Sequence, residues 1–130
     1  VAELLVARGC SVEIMTPGMV VGQDLGITLD LENFHRRAAA AGITLTTDRM
    51  IVAALVDTAR DGVLLDVSHH TVGTTTERRY DWVVCATPPR PDDALRHAIS
   101  GVPVHRIGDC LAPRRVHAAV IEGERVGTAL

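Results

Sequence analysis

Hydrophobic and polar positions change period several times along the chain, and each change marks an element. Over Val1 to Arg8, the apolar Val1, Leu4 and Leu5 share one helical face, Arg8 sits favourably at the negative end, and Gly9 is placed to stop the helix. Ser11 to Thr16 alternates as a short strand with Val12, Ile14 and Thr16 on one face, and Pro17-Gly18 breaks it. A loop carrying Gly22 and Gly26 leads to a helix capped by Thr28 or Asp30. In that helix Leu31, Phe34, Ala38 and Ala41 recur at helical spacing, Arg36 and Arg37 fall late, and Gly42 is the stop.

The period then becomes extended. Ile43 to Thr46 predicts a short strand. Met50 to Asp57 and Val63 to His69 are two extended runs joined by a turn containing Asp61-Gly62, a hairpin signal, and Thr74 to Tyr80 completes an antiparallel three-stranded meander. Within Asp81 to Thr87, the unbroken run Trp82-Val83-Val84-Cys85-Ala86 predicts a central strand covered on both faces, ended by Pro88, Pro89 and Pro91. Asp92 or Asp93 caps a short helix through Ile99, with Gly101 after it, and Val102 to Ile107 predicts a further strand closed by Gly108-Asp109-Cys110. Pro113 then opens a long helix with Val116, Val120, Ile121 and Ala129 available for burial.

Composition narrows the class. The 130 residues are 47% hydrophobic and 22% charged with Gly 11 and Pro 6, which excludes disorder and permits a packed core. No apolar run approaches the ~18 residues that span a bilayer, so no membrane partner is expected. Thirteen basic residues, all Arg, against sixteen acidic ones give a net charge of -3, and only Phe34, Tyr80 and Trp82 are aromatic, so neither field nor stacking platform exists for nucleic acid. Cys10, Cys85 and Cys110 are odd in number and scattered, the pattern of reduced thiols in a cytoplasmic protein, which is the expected location. His69 and His70 are adjacent on an extended run, point to opposite faces and cannot chelate one ion together, so no metal site is assigned. The Arg pairs 36/37, 78/79 and 114/115 read as solvated or helix-end charges, with the last pair also standing beside a helix N-terminus.

The tail Val104 to Arg115 carries the chemistry. A strand there delivers a carboxylate into a loop ahead of a helix. Asp109 can accept hydrogen bonds from ligand hydroxyls, Gly108 permits close approach, and the helix beginning offers N–H groups to negative charge, with Arg114 and Arg115 placed to face a pyrophosphate. Spacing alone serves a plain turn capped by Asp109 equally well. Cys110, without a second Cys two residues away, reads as a small loop residue rather than a redox thiol.

The segment GDCLAPRRVHAAVIEGERVGTAL, Gly108 to Leu130, resembles the C-terminal end of the NADH:flavin oxidoreductase family related to 2,4-dienoyl-CoA reductase and trimethylamine dehydrogenase. Val1 to Gly9 looks like the helix after that family's second Gly-rich loop, VGQDLG leading into FHRRAAAAGI like its next loop and helix, and DWVVCATPPRP like the strand and loop returning to the flavin domain, with Pro88 in place of the usual Gly. The resemblance implies an α/β, Rossmann-like fold of the glutathione-reductase type with a three-stranded antiparallel meander, incomplete at its N-terminus. Residues 1–85 would form most of an NAD(P)-type nucleotide-binding domain lacking its first strand and Gly-rich loop. Residues 86–130 would be the return segment into an FAD- or ADP-binding domain. It also implies that Gly108, Asp109, Cys110 and Arg114 contribute part of an FAD or ADP site, Asp109 holding the ribitol or a neighbouring part of the nucleotide.

No G-x-G-x-x-G occurs, and the first helix has neither a capping residue nor a preceding strand, so the chain reads as beginning inside an element. By resemblance, FMN and a [4Fe-4S] cluster belong to a parent region outside these residues, and three scattered cysteines cannot ligate a cubane that needs four. Met15-Thr16-Pro17 at the first strand end lacks the acidic residue that binds an NAD ribose, which leaves NAD(P)H use and an ADP-binding, amine-dehydrogenase type both open. The chain is thus expected to be a C-terminal fragment of a multi-cofactor flavoprotein oxidoreductase, without catalytic residues and inactive alone. The alternative is a structural module, or a docking module for an electron-transfer protein, with no catalysis of its own. The uncovered apolar face of the first helix predicts a homo-oligomer.

Overall fold

The computed structural model describes residues 1–130 as mixed α/β. Two compact units divide it, Val1–Val84 and Cys85–Leu130. In the first, α1 (Ala2–Ala7) precedes β1 (Glu13–Met15), a 3-10 turn (Gln23–Gly26), α2 (Leu31–Ala40) and β2 (Thr44–Thr46). β1 and β2 are parallel, Glu13 opposite Thr44 and Met15 opposite Thr46, with α2 as their crossover. Asp30 occupies the cap position of α2, its carbonyl accepting the Phe34 N–H at 2.9 Å, but its side chain makes no cap bond, and the Thr28 hydroxyl donates to Leu25 O, 3.1 Å away. The His35 ring donates from Nε2 to Val21 O at 2.8 Å, tying α2 to the preceding loop.

The meander forms as expected: β3 (Arg49–Asp57), β4 (Gly62–His69) and β5 (Thr75–Tyr80) are antiparallel in that order. The hairpin loop is longer than a two-residue turn. Residues 58–61 span it, Asp57 pairs with Gly62, Asp61 takes the left-handed conformation (φ 50°), and Asp57 Oδ1 accepts the Ala59 N–H at 3.2 Å. Gly62 is required by closeness: a Cβ there would lie 2.9 Å from Tyr80 O. The fully enclosed side chains are few, namely Val21, Ala38, Ile43, Leu65 and Val67.

With so small an apolar core, a polar cluster joins the two sheets. Glu13 on β1 accepts bonds from the Thr46 hydroxyl, from Arg78 Nη1 at 2.9 Å and from the Tyr80 hydroxyl. Burial pushes the Glu13 carboxyl up, but the donors Thr46 and Tyr80 and the Arg78 charge outweigh it, and its pKa is lowered. Tyr80 is raised, first by burial and then by donation to Glu13. Arg78 is therefore an internal bridge rather than a solvated charge, while Arg36 is exposed beside Glu32.

The strands expected after β5 do not form. Asp81 to Thr87 forms none, and Trp82 is 88% exposed. A central strand needs hydrogen-bonding neighbours on both edges, and no strand pairs with this run. Val102 to Ile107 also stays unpaired: Pro103, its second residue, has no N–H to donate, and Ile107 is the extended residue that leads into a 3-10 turn (Gly108–Cys110). α3 (Ala94–Ala98) matches its expectation, with Asp92 Oδ1 accepting the Ala94 N–H at 3.3 Å. The long helix, α4 (Val116–Ala129), starts three residues beyond Pro113, because Arg115 is still extended (ψ 156°). Its inward face is also different. Val116, Val120 and Ile121 are exposed, and Ala119, Glu122, Gly123 and Val126 are half-buried instead, on the side of the helix that meets Ile107 and Gly108. No helix is long and apolar enough to cross a membrane.

Two outcomes follow. Val67→Ala, at 1% exposure, should cost about 1 to 3 kcal/mol in urea unfolding. Because Glu13 titrates below its ordinary 4.5 when folded, its stabilisation is complete above that pH and is lost as pH falls through the lowered value. The melting temperature of Glu13→Gln should start lower than wild type and decline less on acidification; parallel profiles would show that Glu13 contributes no pH dependence.

Candidate functional site

The tail turn is built from one glycine, one helix face and one carboxylate. Gly108 adopts φ +64°, where a side chain is strained, and its missing Cβ would lie 3.4 Å from Ala119 Cβ. Small residues on α4 thus let the helix lie against the turn. Gly108 O then accepts the N–H groups of Leu111 (3.0 Å) and Ala112 (3.1 Å), and the Cys110 thiol donates to Ile107 O at 3.0 Å.

Glu122 holds this arrangement. Its Oε2 accepts the Gly108 N–H at 2.7 Å, and its Oε1 accepts Arg114 Nη2. The Gly108 N–H, followed by the Arg114 guanidinium, lowers the Glu122 pKa. Arg114 Nε also donates to Ala112 O at 3.1 Å, so the side chain is anchored both in the loop and on α4. Asp109 differs from these neighbours. It is exposed and makes no hydrogen bond or ion pair within the chain.

The structure therefore brings Gly108, Asp109, Cys110 and Arg114 into one turn, with distinct roles: Gly108 shapes it, Cys110 and Arg114 brace it, and Asp109 faces outward. The sequence reading missed Glu122, which lies fourteen residues from Gly108. Its one local signal is the neighbouring Gly123, whose absent Cβ would sit 3.9 Å from Ile107 Cδ1 and so marks the helix face that meets the turn.

The end of β1 is occupied by the chain itself. Thr16 Oγ1 accepts the Gly18 N–H at 3.2 Å, and Thr16 O accepts the Arg49 N–H at 2.9 Å. Beside it, Asp48 accepts the Thr71 hydroxyl and lies 3.0 Å from His69 Nδ1. The Thr71 hydroxyl and then, against the effect of burial, the His69 charge lower the Asp48 pKa. This cluster braces the β4–β5 turn. His69 thus has a carboxylate partner, while His70 is exposed and its N–H goes to Asp48 O at 3.1 Å.

No protein-family model matches the chain. Over 96% of its length it is 25% identical, across an aligned stretch of 157 residues, to the N,N-dimethylglycine/sarcosine dehydrogenase of Chromohalobacter salexigens, covering 22% of that protein. It superposes with a TM-score of 0.79 and 26% identity on the 6-hydroxypseudooxynicotine amine oxidase of Pseudomonas geniculata N1, covering 97% of this chain and 19% of that one. The histamine dehydrogenase of Rhizobium sp. 4-9 gives a TM-score of 0.78 at 21% identity, covering 99% and 20%. The chain resembles the family related to 2,4-dienoyl-CoA reductase and trimethylamine dehydrogenase, as its tail motif implies. Two of these similar proteins are an amine oxidase and a histamine dehydrogenase of the trimethylamine-dehydrogenase type, and the chain spans about a fifth of the length of each.

Glu122→Ala should expose the Gly108 amide. Its hydrogen exchange, followed by NMR, should accelerate at least about tenfold relative to wild type, and Glu122→Gln, which retains an acceptor, should keep most of the protection. Equal exchange in all three chains would remove Glu122 from this role.

Proposed function

We propose that this chain is the nucleotide-binding part of a flavin-dependent, amine-oxidising oxidoreductase, contributing a portion of an FAD or ADP site and no catalytic residue. The observation that carries the reading is the unpartnered, exposed Asp109 carboxylate on a turn shaped by Gly108, in a chain whose relatives include an amine oxidase. An ionised carboxylate with free lone pairs is suited to the paired hydroxyls of a ribose or ribitol. Gly108 removes the side chain that would hold such a ligand away.

Arg114, anchored by Glu122 and Ala112, braces the turn while Asp109 has no partner, so hydroxyl recognition by Asp109 fits these residues better than capture of a diphosphate by Arg114. The amine-oxidising type is favoured over NAD(P)H use by the names of the relatives and by Thr16, which stands where an acidic ribose ligand would. In this reading β1, α2 and β2 are part of a Rossmann-like domain of the glutathione-reductase type, and Cys85–Leu130 is the return into the FAD or ADP domain. Electron removal from the amine is chemistry that a flavin supplies when bound. The residues here bind and orient a nucleotide.

The three thiols do not fit a [4Fe-4S] cluster, since Cys10 and Cys85 are exposed and Cys110 donates to Ile107 O, and no fourth is present. Thermal melting with ADP, FAD, NADH and NADPH in turn tests the proposal. ADP and FAD should raise the melting temperature of the wild-type chain, with smaller shifts for NADH and NADPH and for Asp109→Ala with any of them. A larger shift with NADH, or equal shifts in Asp109→Ala, would contradict it.

A further inference from the structure

The extended run that leads into the Gly108 turn has no sheet to hold it. No strand pairs with Val102 to Ile107, and no main-chain hydrogen bond reaches Val102 to Arg106. Fixing the backbone of one residue costs about 1 to 2 kcal/mol of conformational entropy, so side chains must supply the constraint that a ladder would otherwise give. Successive side chains of an extended chain point to opposite sides, and here the two nearest the turn reach two different helices. Ile107 Cδ1 lies 3.9 Å from where a Cβ on Gly123 of α4 would sit, and Arg106 Nη1 donates to Asp93 Oδ2, at the cap position of α3.

The Asp93 carboxylate has one partner outside its own helix. Within α3 its carbonyl accepts the Arg96 N–H at 3.0 Å, and its Oδ2 lies 3.5 Å from His97 Nε2. Arg106 is the contact that carries it beyond α3. The Arg106 and Asp93 side chains are 31% and 32% exposed, sheltered enough for the pair to hold a geometry and open enough for its strength to stay modest. From Arg106 the main chain runs extended through Ile107 (φ -140°, ψ 159°) to Gly108, with no bend to absorb a displacement. Glu122 thus holds the Gly108 N–H from α4, while Asp93 holds the approach to the same turn from α3.

We propose that Asp93 and Arg106 are positioning residues for the nucleotide site: their ion pair fixes the approach to the turn so that the Asp109 carboxylate stands where the hydroxyls of a ribose or ribitol reach it, and α3 thereby sets the affinity of that site. The inference rests on the reading of Asp109 as the hydroxyl-binding group. Neither Asp93 nor Arg106 is a ligand contact, and both act through the main chain of Ile107 and Gly108.

NMR titration of the isotopically labelled chain with ADP tests this, with circular dichroism melting to establish that each variant is folded. Asp93→Asn and Arg106→Gln should each weaken ADP binding by about threefold to tenfold. The double variant should bind no more weakly than either single one, because both remove the same contact, and Arg106→Lys, which keeps the charge, should recover part of the loss. Folded variants that melt earlier yet bind ADP as wild type does, or losses that add in the double variant, would overturn the proposal. Absence of ADP binding by wild type would instead remove the reading of Asp109, and the ligand-free spectra then decide: Asp93→Asn, sixteen residues from Asp109 in sequence, should move the amide resonances of Gly108, Asp109 and Leu111 and leave those of β3 to β5 in place. Turn resonances unmoved by Asp93→Asn would overturn the positioning role.

Discussion

The bond from the Gly108 N–H to Glu122 is the constraint on which the tail depends. Gly108 takes its left-handed conformation because it has no Cβ, and the Cβ it lacks would lie 3.4 Å from Ala119 Cβ on α4. That approach brings the Glu122 carboxylate to the turn, where it collects Gly108 and Arg114 together and leaves Asp109 facing outward. The first unit repeats the device: Glu13 collects Thr46, Arg78 and Tyr80 and so joins the parallel pair to the meander. In a fold with few enclosed apolar side chains, carboxylates that gather several donors do much of the work of specifying which elements meet.

What was legible in the sequence was local. Alternation and the Asp61-Gly62 turn signal announced the meander, and helical spacing announced α2, because these patterns arise within a few residues. Trp82 to Ala86 has the composition of a buried strand but no pairing partner, and Pro103 interrupts the other expected strand. The pattern predicts α4 itself but not its covered face, because the residues that meet the turn, Ala119, Glu122 and Gly123, carry no apolar periodicity of their own. Gly108, Asp109, Cys110 and Arg114 were all singled out from the tail. Glu122 and Glu13 escaped because their partners lie fourteen and more than thirty residues away, and nothing in a one-dimensional pattern encodes that meeting.

The division of roles within the turn changes what kind of ligand it suits. An arginine paired with a carboxylate can brace a turn, and a carboxylate without a partner keeps its lone pairs for a donor such as the hydroxyl proposed for Asp109. The chain spans about a fifth of its relatives, so a bound nucleotide would find further contacts in residues outside this sequence, and modest affinity for the 130-residue chain is the natural expectation.

Asp109 as the ligand-facing group is tested most directly by NMR titration of the isotopically labelled chain with ADP. The amide resonances of Gly108, Asp109, Cys110 and Leu111 should move together and saturate, while Thr16, Gly18 and Asp48 at the end of β1 stay in place. Saturable shifts confined to the β1 end, or no shift at the turn at millimolar ADP, would contradict the assignment.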